Sequence, residues 1–430
     1  MSSTATSSPS TRLDGINLLD LDRWAREGAP HEWFTALRAE APVWLHPSPH
    51  LDGRGFWVVS GYDEVVALGR CPHVLSSDDA NGGMTGLGRG DELQDNFDRM
   101  DAEFAMPAEA NDAKHLLSID PPEHTQYRKI VNKGFTPRMI ARLEPNVRAL
   151  VRELLDAIPA GEPVDMVDAI SMPLPMRVIS DMIGAPAGDH EKIVHWSNQA
   201  ITGTDPEYDF GPASELVAML SMAQYFGGLR QEREADPRDD LVTLLLEAEV
   251  DGESLSPARF TMFLILLAIA GNETTRTAMS HAVVELANRP EEWARLKDDP
   301  SLIPLAVEET IRWASPVLYF RRNALDDMEV SGQHIAKGDL VSLWYISANR
   351  DEAHFDEPFR FDVGRDPNHH VAFGGGGPHF CLGASLARLE VRVLLEELVD
   401  RYDRLEVVGE TDRLRSNFLH GIKHLPVRFR

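Results

Sequence analysis

The chain has 430 residues, of which 43% are apolar and 26% charged, the composition of a soluble globular protein and not of a fibrous or disordered one. Its 42 basic against 69 acidic side chains leave a net charge of −27, which argues against general binding to nucleic acid or to an anionic membrane. With Cys71 and Cys381 as its two cysteines it has no disulfide framework to offer, and a reducing cytoplasm is the natural compartment.

Residues 1–12 are rich in Ser and Thr, lack the apolar run of a signal peptide, and read as a disordered leader. Leu21, Trp24, Trp33, Phe34 and Leu37 then suggest short helices, followed by a strand pair at 43–45 and 56–59 that Gly53 and Gly55 would turn. Residues 75–117 are rich in Gly, Asp, Asn and Met and show no core face. A loop this long is usually functional or disordered, and the functional reading is a lid over a binding cavity.

Two prolines at 121 and 122 open the next helix, on which His124 and Arg128, four apart, share one face. Alone they could be an ordinary surface pair. Arg128, Lys129, Lys133, Arg138, Arg142 and Arg148, against Glu144, form an island of local charge +5 that could dock an acidic partner or simply face solvent. Residues 145–249 pattern as several helices broken at Gly161, Pro173, Gly184, Pro206 and Pro237, and name no chemistry.

Ser256 followed by Pro257 is an N-cap signal, and the sequence stays compatible with helix to Arg289. At 1.5 Å per residue that is roughly 50 Å, long enough to cross the molecule. Its apolar run, 262–270, is too short to span a bilayer. It meets Gly271, Asn272, Glu273, Thr274 and Thr275, poor interior helix sequence in which hydroxyls compete for backbone carbonyls. An acid beside an alcohol there can relay protons into a cavity; a glycine packing contact flanked by solvated side chains is the equal alternative.

Glu309 and Arg312, three apart, are by themselves an ordinary surface ion pair. Short strand patterns between 321 and 347 predict a small sheet, 351–368 reads as a meandering loop, and 405–408 and 424–429 as further strand. Between them lies the run 373–383, four glycines that deliver Cys381 to a helix start, with Leu386, Leu389, Val393, Leu394 and Leu398 following at helical spacing. Free N–H groups and the helix dipole there would lower a thiol's pKa and favour thiolate, as ligand or as nucleophile. Length alone suggests two or three domains, or one unusually large fold.

Four motifs in this order resemble the cytochrome P-450 family. G-x-H-x-C-x-G is met by Gly377, His379, Cys381 and Gly383; A-G-x-[DE]-T-[ST] by Ala270, Gly271, Glu273, Thr274 and Thr275; E-x-x-R by Glu309 and Arg312; and H-x-x-x-R by His124 and Arg128. The chain departs from the usual pattern by one extra glycine between Phe373 and Cys381, and by Glu273 where many members carry Asp.

The resemblance implies one large, mainly helical catalytic domain over 13–430, with a smaller β-rich lobe and a long helix over haem b. It implies Cys381 as the thiolate ligand of the iron, with His124, Arg128, Arg322 and His379 at the haem propionates. Glu273 and Thr274 would guide protons to the dioxygen being activated, and Glu309, Arg312 and Arg360 would form a buried ion network under the haem loop. Leu266, Ile269, Ala270, Val317, Leu318 and Phe418 would line the pocket of a hydrophobic substrate of the sterol, branched-chain lipid or terpenoid type. Electrons would come from NAD(P)H through a ferredoxin reductase and a soluble ferredoxin, to a cytoplasmic monomer with no membrane anchor and no nucleic-acid partner. A haem sensor or carrier, and a peroxide-driven oxygenase, are the rivals; neither needs the Glu273–Thr274 pair. A phosphate-binding loop would need a strand-borne G-x-G-x-x-G, which is absent.

Overall fold

A computed structural model of the chain describes residues 13–48, 53–81, 83–84, 86–87, 114–201, 205–208, 214–249 and 252–430. The expected leader at 1–12 and the central part of the expected lid, 88–113, lie outside the described residues.

The helices are α1 Leu21–Glu27, α2 His31–Glu40, α3 Tyr62–Gly69, α4 Glu123–Val131, α5 Pro137–Asp156, α6 Pro173–Ile183, α7 His190–Ile201, α8 Ser214–Ala235, α9 Leu241–Leu246, α10 Pro257–Asn288, α11 Pro290–Asp298, α12 Ile303–Ala314, α13 Tyr345–Ala348 and α14 Ala384–Arg401. Helix α10 is the axis. Ser256 caps it by accepting the Arg259 N–H, Pro257 occupies its first turn, and it runs 32 residues without interruption. It packs against α6, α7, α8, α12 and α14, so most of its circumference is buried. The helix persists through Gly271 because its neighbours supply the burial that its propensity lacks.

The β-rich part is smaller. A five-stranded sheet has the order β1 (Val43–His46), β2 (Phe56–Val59), β8 (Leu340–Trp344), β5 (Tyr319–Ala324), β3 (Leu75–Ser76). β2 pairs parallel with β8, placing Trp57 opposite Val341, and the other pairs are antiparallel. Strand β2 is buried at every position, because the sheet is covered on both faces. Phe56 and Val58 join a cluster with Trp24, Phe34 and Trp344, while Trp57 and Val59 join one with Val65, Val341 and Leu343. Strands β4 (Val164–Asp165), β12 (Pro426–Phe429) and β9 (Leu405–Val407) make a second small sheet beside the main helical core. The helical bulk and the smaller β part agree with the fold class that the motifs imply.

Candidate active site

Cys381 stands just ahead of α14, whose N-cap is Gly383. Its backbone N–H donates to Phe373 O at 2.9 Å, which folds the glycine loop back on itself. Gly374, Gly376 and Gly377 hold φ of +94°, +99° and +84°, the left-handed region that side chains resist. The close approach that these glycines allow is to α3: a Cβ on Gly375 would lie 2.9 Å from Val66 Cα, and one on Gly377 2.4 Å from Gly69 O. The glycines thus seat the loop on a helix, and the thiol is aimed by that packing.

Burial pushes the Cys381 thiol up, while the N–H groups of Gly383 and Ala384 and the charges of Arg128 and Arg388 pull it down. This corrects the expected lowering. Desolvation of a lone thiolate outweighs the helix start, and only a positive centre at the sulfur would reverse the order.

Around this thiol four basic groups converge from three elements. His124 and Arg128 come from α4, Arg322 from β5 and His379 from the glycine loop. The rings of His124 and His379 lie 4.2 Å apart. Burial lowers His379 to about 2, helped by the charges of Arg322, His124 and Arg128. His124 is brought to about 4 by burial and by Arg128. All four ring nitrogens are buried without a hydrogen-bond partner, a costly arrangement that calls for acceptors. A thiol beside donors that lack acidic partners fits a cofactor carrying a metal and two carboxylates.

Opposite character marks the accessible strip of α10. Met262, Leu266, Ala270 and Thr274 follow one another at i+4, and all are at least partly exposed in the middle of a helix that is otherwise buried. An accessible stripe on a central helix lines an internal space, and this one is apolar until Thr274. Ile269 is also half-buried there. Thr274 Oγ donates to Ala270 O at 2.8 Å, the competition with the helix ladder that the sequence predicts.

The sequence profile of Cytochrome P-450 matches residues 221–428. Over 97% of its length the chain is 41% identical to the methyl-branched lipid omega-hydroxylase of Mycobacterium tuberculosis, of which it covers 96%. The chain belongs to the cytochrome P-450 family. It is also 37% identical to the steroid C26-monooxygenase of Rhodococcus jostii, over 97% of this chain and 85% of that one. A Mycobacterium marinum cytochrome P-450 solved in complex with pseudoionone superposes with a TM-score of 0.85 at 36% identity, covering 99% of this chain and all of that one. As a P-450 this protein is a haem-thiolate monooxygenase that activates dioxygen with two electrons supplied from outside and hydroxylates a hydrophobic substrate. Among the described residues no helix is long and apolar enough to cross a membrane.

Within this P-450 several expected placements change. Glu309 and Arg312 are fully buried and paired at 2.7 Å, so they are no surface pair. Their third partner is Arg365, and not Arg360, whose side chain turns out to Glu357 and contributes only its backbone carbonyl. Leu318 is completely buried in the cluster of Trp24, Phe34 and Trp344, so it lines no pocket; its neighbour Val317 is half-buried. Side chains alternate in extended backbone, and the two cannot both face the cavity. Phe418 is half-buried with its ring edge-on to Tyr319 and Phe320 at 5.5 and 5.6 Å. Glu273 is fully buried and ion-paired to Arg276, 2.6 Å away, and burial raises its carboxyl against that charge. Arg276 escaped the sequence reading, although its i+3 spacing from Glu273 was the available signal.

Proposed function

We propose that Cys381 would supply the thiolate ligand of the haem iron, that His124, Arg128, Arg322 and His379 would hold the two propionates, and that Glu273 and Thr274 manage the protons. The observation that carries this is the convergence of the Cys381 thiol and unpartnered imidazoles at one place, with the Leu266–Ala270–Thr274 stripe on the central helix. The haem, once bound, supplies the electron transfer and oxygen chemistry. The chain's own work is positional. Gly383 and Ala384 N–H groups hold the sulfur, the two arginines balance the carboxylates, and the apolar stripe excludes water and orients the substrate. Thr274 offers a hydroxyl that can pass a proton from Glu273 into the cavity.

The substrate that this reading favours is a hydrophobic molecule with a methyl-branched chain. Support comes from Leu266, Ile269, Ala270 and Val317, which offer apolar surface, and from the near full-length similarity to a methyl-branched lipid hydroxylase. Electrons reach this cytoplasmic monomer from NAD(P)H through a reductase and a soluble ferredoxin.

The carbon monoxide adduct of the reduced protein tests the ligand: the red-shifted band of thiolate haem is expected, and its survival in Cys381→Ala overturns the assignment. Thr274→Ala is expected to consume NADPH and oxygen while releasing peroxide, and fully coupled hydroxylation by that variant rejects the relay. Spectral titration with branched fatty acids, sterols and terpenoids identifies the substrate class; a sterol or terpenoid shift without a branched-lipid one rejects the preference.

A further inference from the structure

The reaction takes up two protons in each turnover, yet Glu273, the acid assigned to it, has no exposed surface. Protons must therefore enter past whatever stands behind that carboxyl. Arg276, one turn along α10, is also fully buried, with Nη2 2.6 Å from Glu273 Oε1. The pair is close in distance but poorly aligned, so that the two carboxylate oxygens and the guanidinium nitrogens lack a well-formed hydrogen bond. Buried donors and acceptors in this state are met by ordered water in native proteins. A buried ion pair is also a poor source of stability compared with apolar packing, so its presence here asks for another role.

On the outer side of Arg276 two further groups are in reach of its charge. Asp168 lies on the turn Val167–Ser171, which packs against α10, and its side chain is exposed. Tyr208 is half-buried on the turn Pro206–Tyr208. The charge of Arg276 acts on both, and that of Glu273 on Tyr208. Asp168 adjoins Asp165 and His424, which bond each other at 2.7 Å, and His424 reaches Glu207 at 2.9 Å. Ionisable groups thus run inward from exposed Asp168 through half-buried Tyr208 to fully buried Arg276 and Glu273, and Thr274 next to Glu273 is again accessible, on the cavity stripe.

We propose that Arg276 is a positioning residue for the relay, and that Asp168 and Tyr208 form the mouth through which solvent protons reach Glu273. The inference rests on the Glu273–Thr274 reading and extends it outward. The Asp168 carboxylate takes a proton from bulk water. Water held by Arg276 passes it to the Glu273 carboxylate, which hands it towards Thr274 and returns to its charged form. Arg276 fixes the water and the carboxylate.

The test uses the haem-loaded enzyme and the variants Glu273→Gln, Arg276→Gln, Arg276→Lys and Asp168→Asn. Turnover at saturating substrate and electron donor is compared in H2O and D2O. Arg276→Gln and Asp168→Asn are expected to lower kcat by about tenfold, below the loss typical of a removed general acid. They should leave substrate KM and the carbon monoxide spectrum unchanged and enlarge the solvent isotope effect, with Arg276→Lys intermediate. If Glu273→Gln enlarges the isotope effect while Asp168→Asn and Arg276→Gln match the wild type, protons enter elsewhere and the proposal falls. If Glu273→Gln leaves the isotope effect unchanged, the relay reading itself fails. Asp168 is exposed, so its variant decides the matter even if Arg276→Gln does not fold.

Discussion

Arg365 donates its Nε to Oε2 of Glu309 at 3.0 Å, the same oxygen that accepts Arg312 Nε at 2.7 Å. The Glu309 carboxylate also accepts from Arg312 Nη2, Asp362 N–H and Asn368 Nδ2, so one buried charge is met by donors from α12 and from the loop leading to Cys381. Such a charge is tolerable only while its partners remain. Arg365→Met is expected to destabilise the holoprotein by about 3–5 kcal/mol, the cost of leaving a buried charge short of a partner. Arg360→Ala, at a side chain that pairs only at the surface, should cost less than about 0.5 kcal/mol. Denaturant melts of the two variants check the contrast, and equal losses would remove Arg365 from the network.

The glycine loop makes a second prediction. Gly377 has φ +84°, and its missing Cβ would sit 2.4 Å from the Gly69 carbonyl oxygen, a backbone atom that cannot turn aside. Gly377→Ala therefore combines left-handed strain with a clash, and should cost about 2–4 kcal/mol and weaken haem retention. Gly188→Ala, with open space around it and no positive φ, should change stability by less than about 0.5 kcal/mol. Melting curves, with haem content measured by absorbance, separate the two.

These two sites show how far the sequence can be read. Cys381, Glu309 and the capped start of α10 were legible because each depends on local spacing: a motif, an i+3 pair, a Ser-Pro cap. Arg365 was not, because it and Arg360 lie in the same aperiodic loop, and only the tertiary path decides which guanidinium turns inward. The same holds for Leu318 against Val317, adjacent apolar residues that differ only in which face of the extended backbone meets the aromatic cluster. The glycines pointed to a close approach, but their partner, α3, lies some three hundred residues earlier in the chain.

The +5 island was counted on sequence neighbours, and its partners come from α14. Arg148 bonds Glu144, Glu396 and Glu397, and Arg128 turns inward to the Cys381 cluster, so neither presents a free charge. Lys129, Arg138 and Arg142 remain exposed. If this face receives ferredoxin, Arg138→Glu and Arg142→Glu should each slow its reduction of the haem by about three- to tenfold at low salt, and the difference should shrink as ionic strength rises. Stopped-flow reduction at two salt concentrations measures this. An effect that is absent at low salt moves the docking face elsewhere.

Glu390 on α14 carries a prediction about pH. It is almost fully buried, one of its carboxylate oxygens lacks a hydrogen-bond partner, and burial alone raises it to about 8. The native state thus keeps this proton to near pH 8, whereas the unfolded chain releases it above about 4.5. Between those values the native state binds more protons than the unfolded one, so stability falls as pH rises. Three and a half pH units at about 1.36 kcal/mol each set an upper limit on the order of 4–5 kcal/mol for the loss. Glu390→Gln keeps the shape and removes the titration. It should match the wild type near pH 4.5 and exceed it increasingly towards pH 8. Denaturant melts of the holoprotein at pH 5, 6.5 and 8 give the three points needed. Parallel pH profiles for the two proteins would mean that Glu390 finds a partner in solution and stays charged.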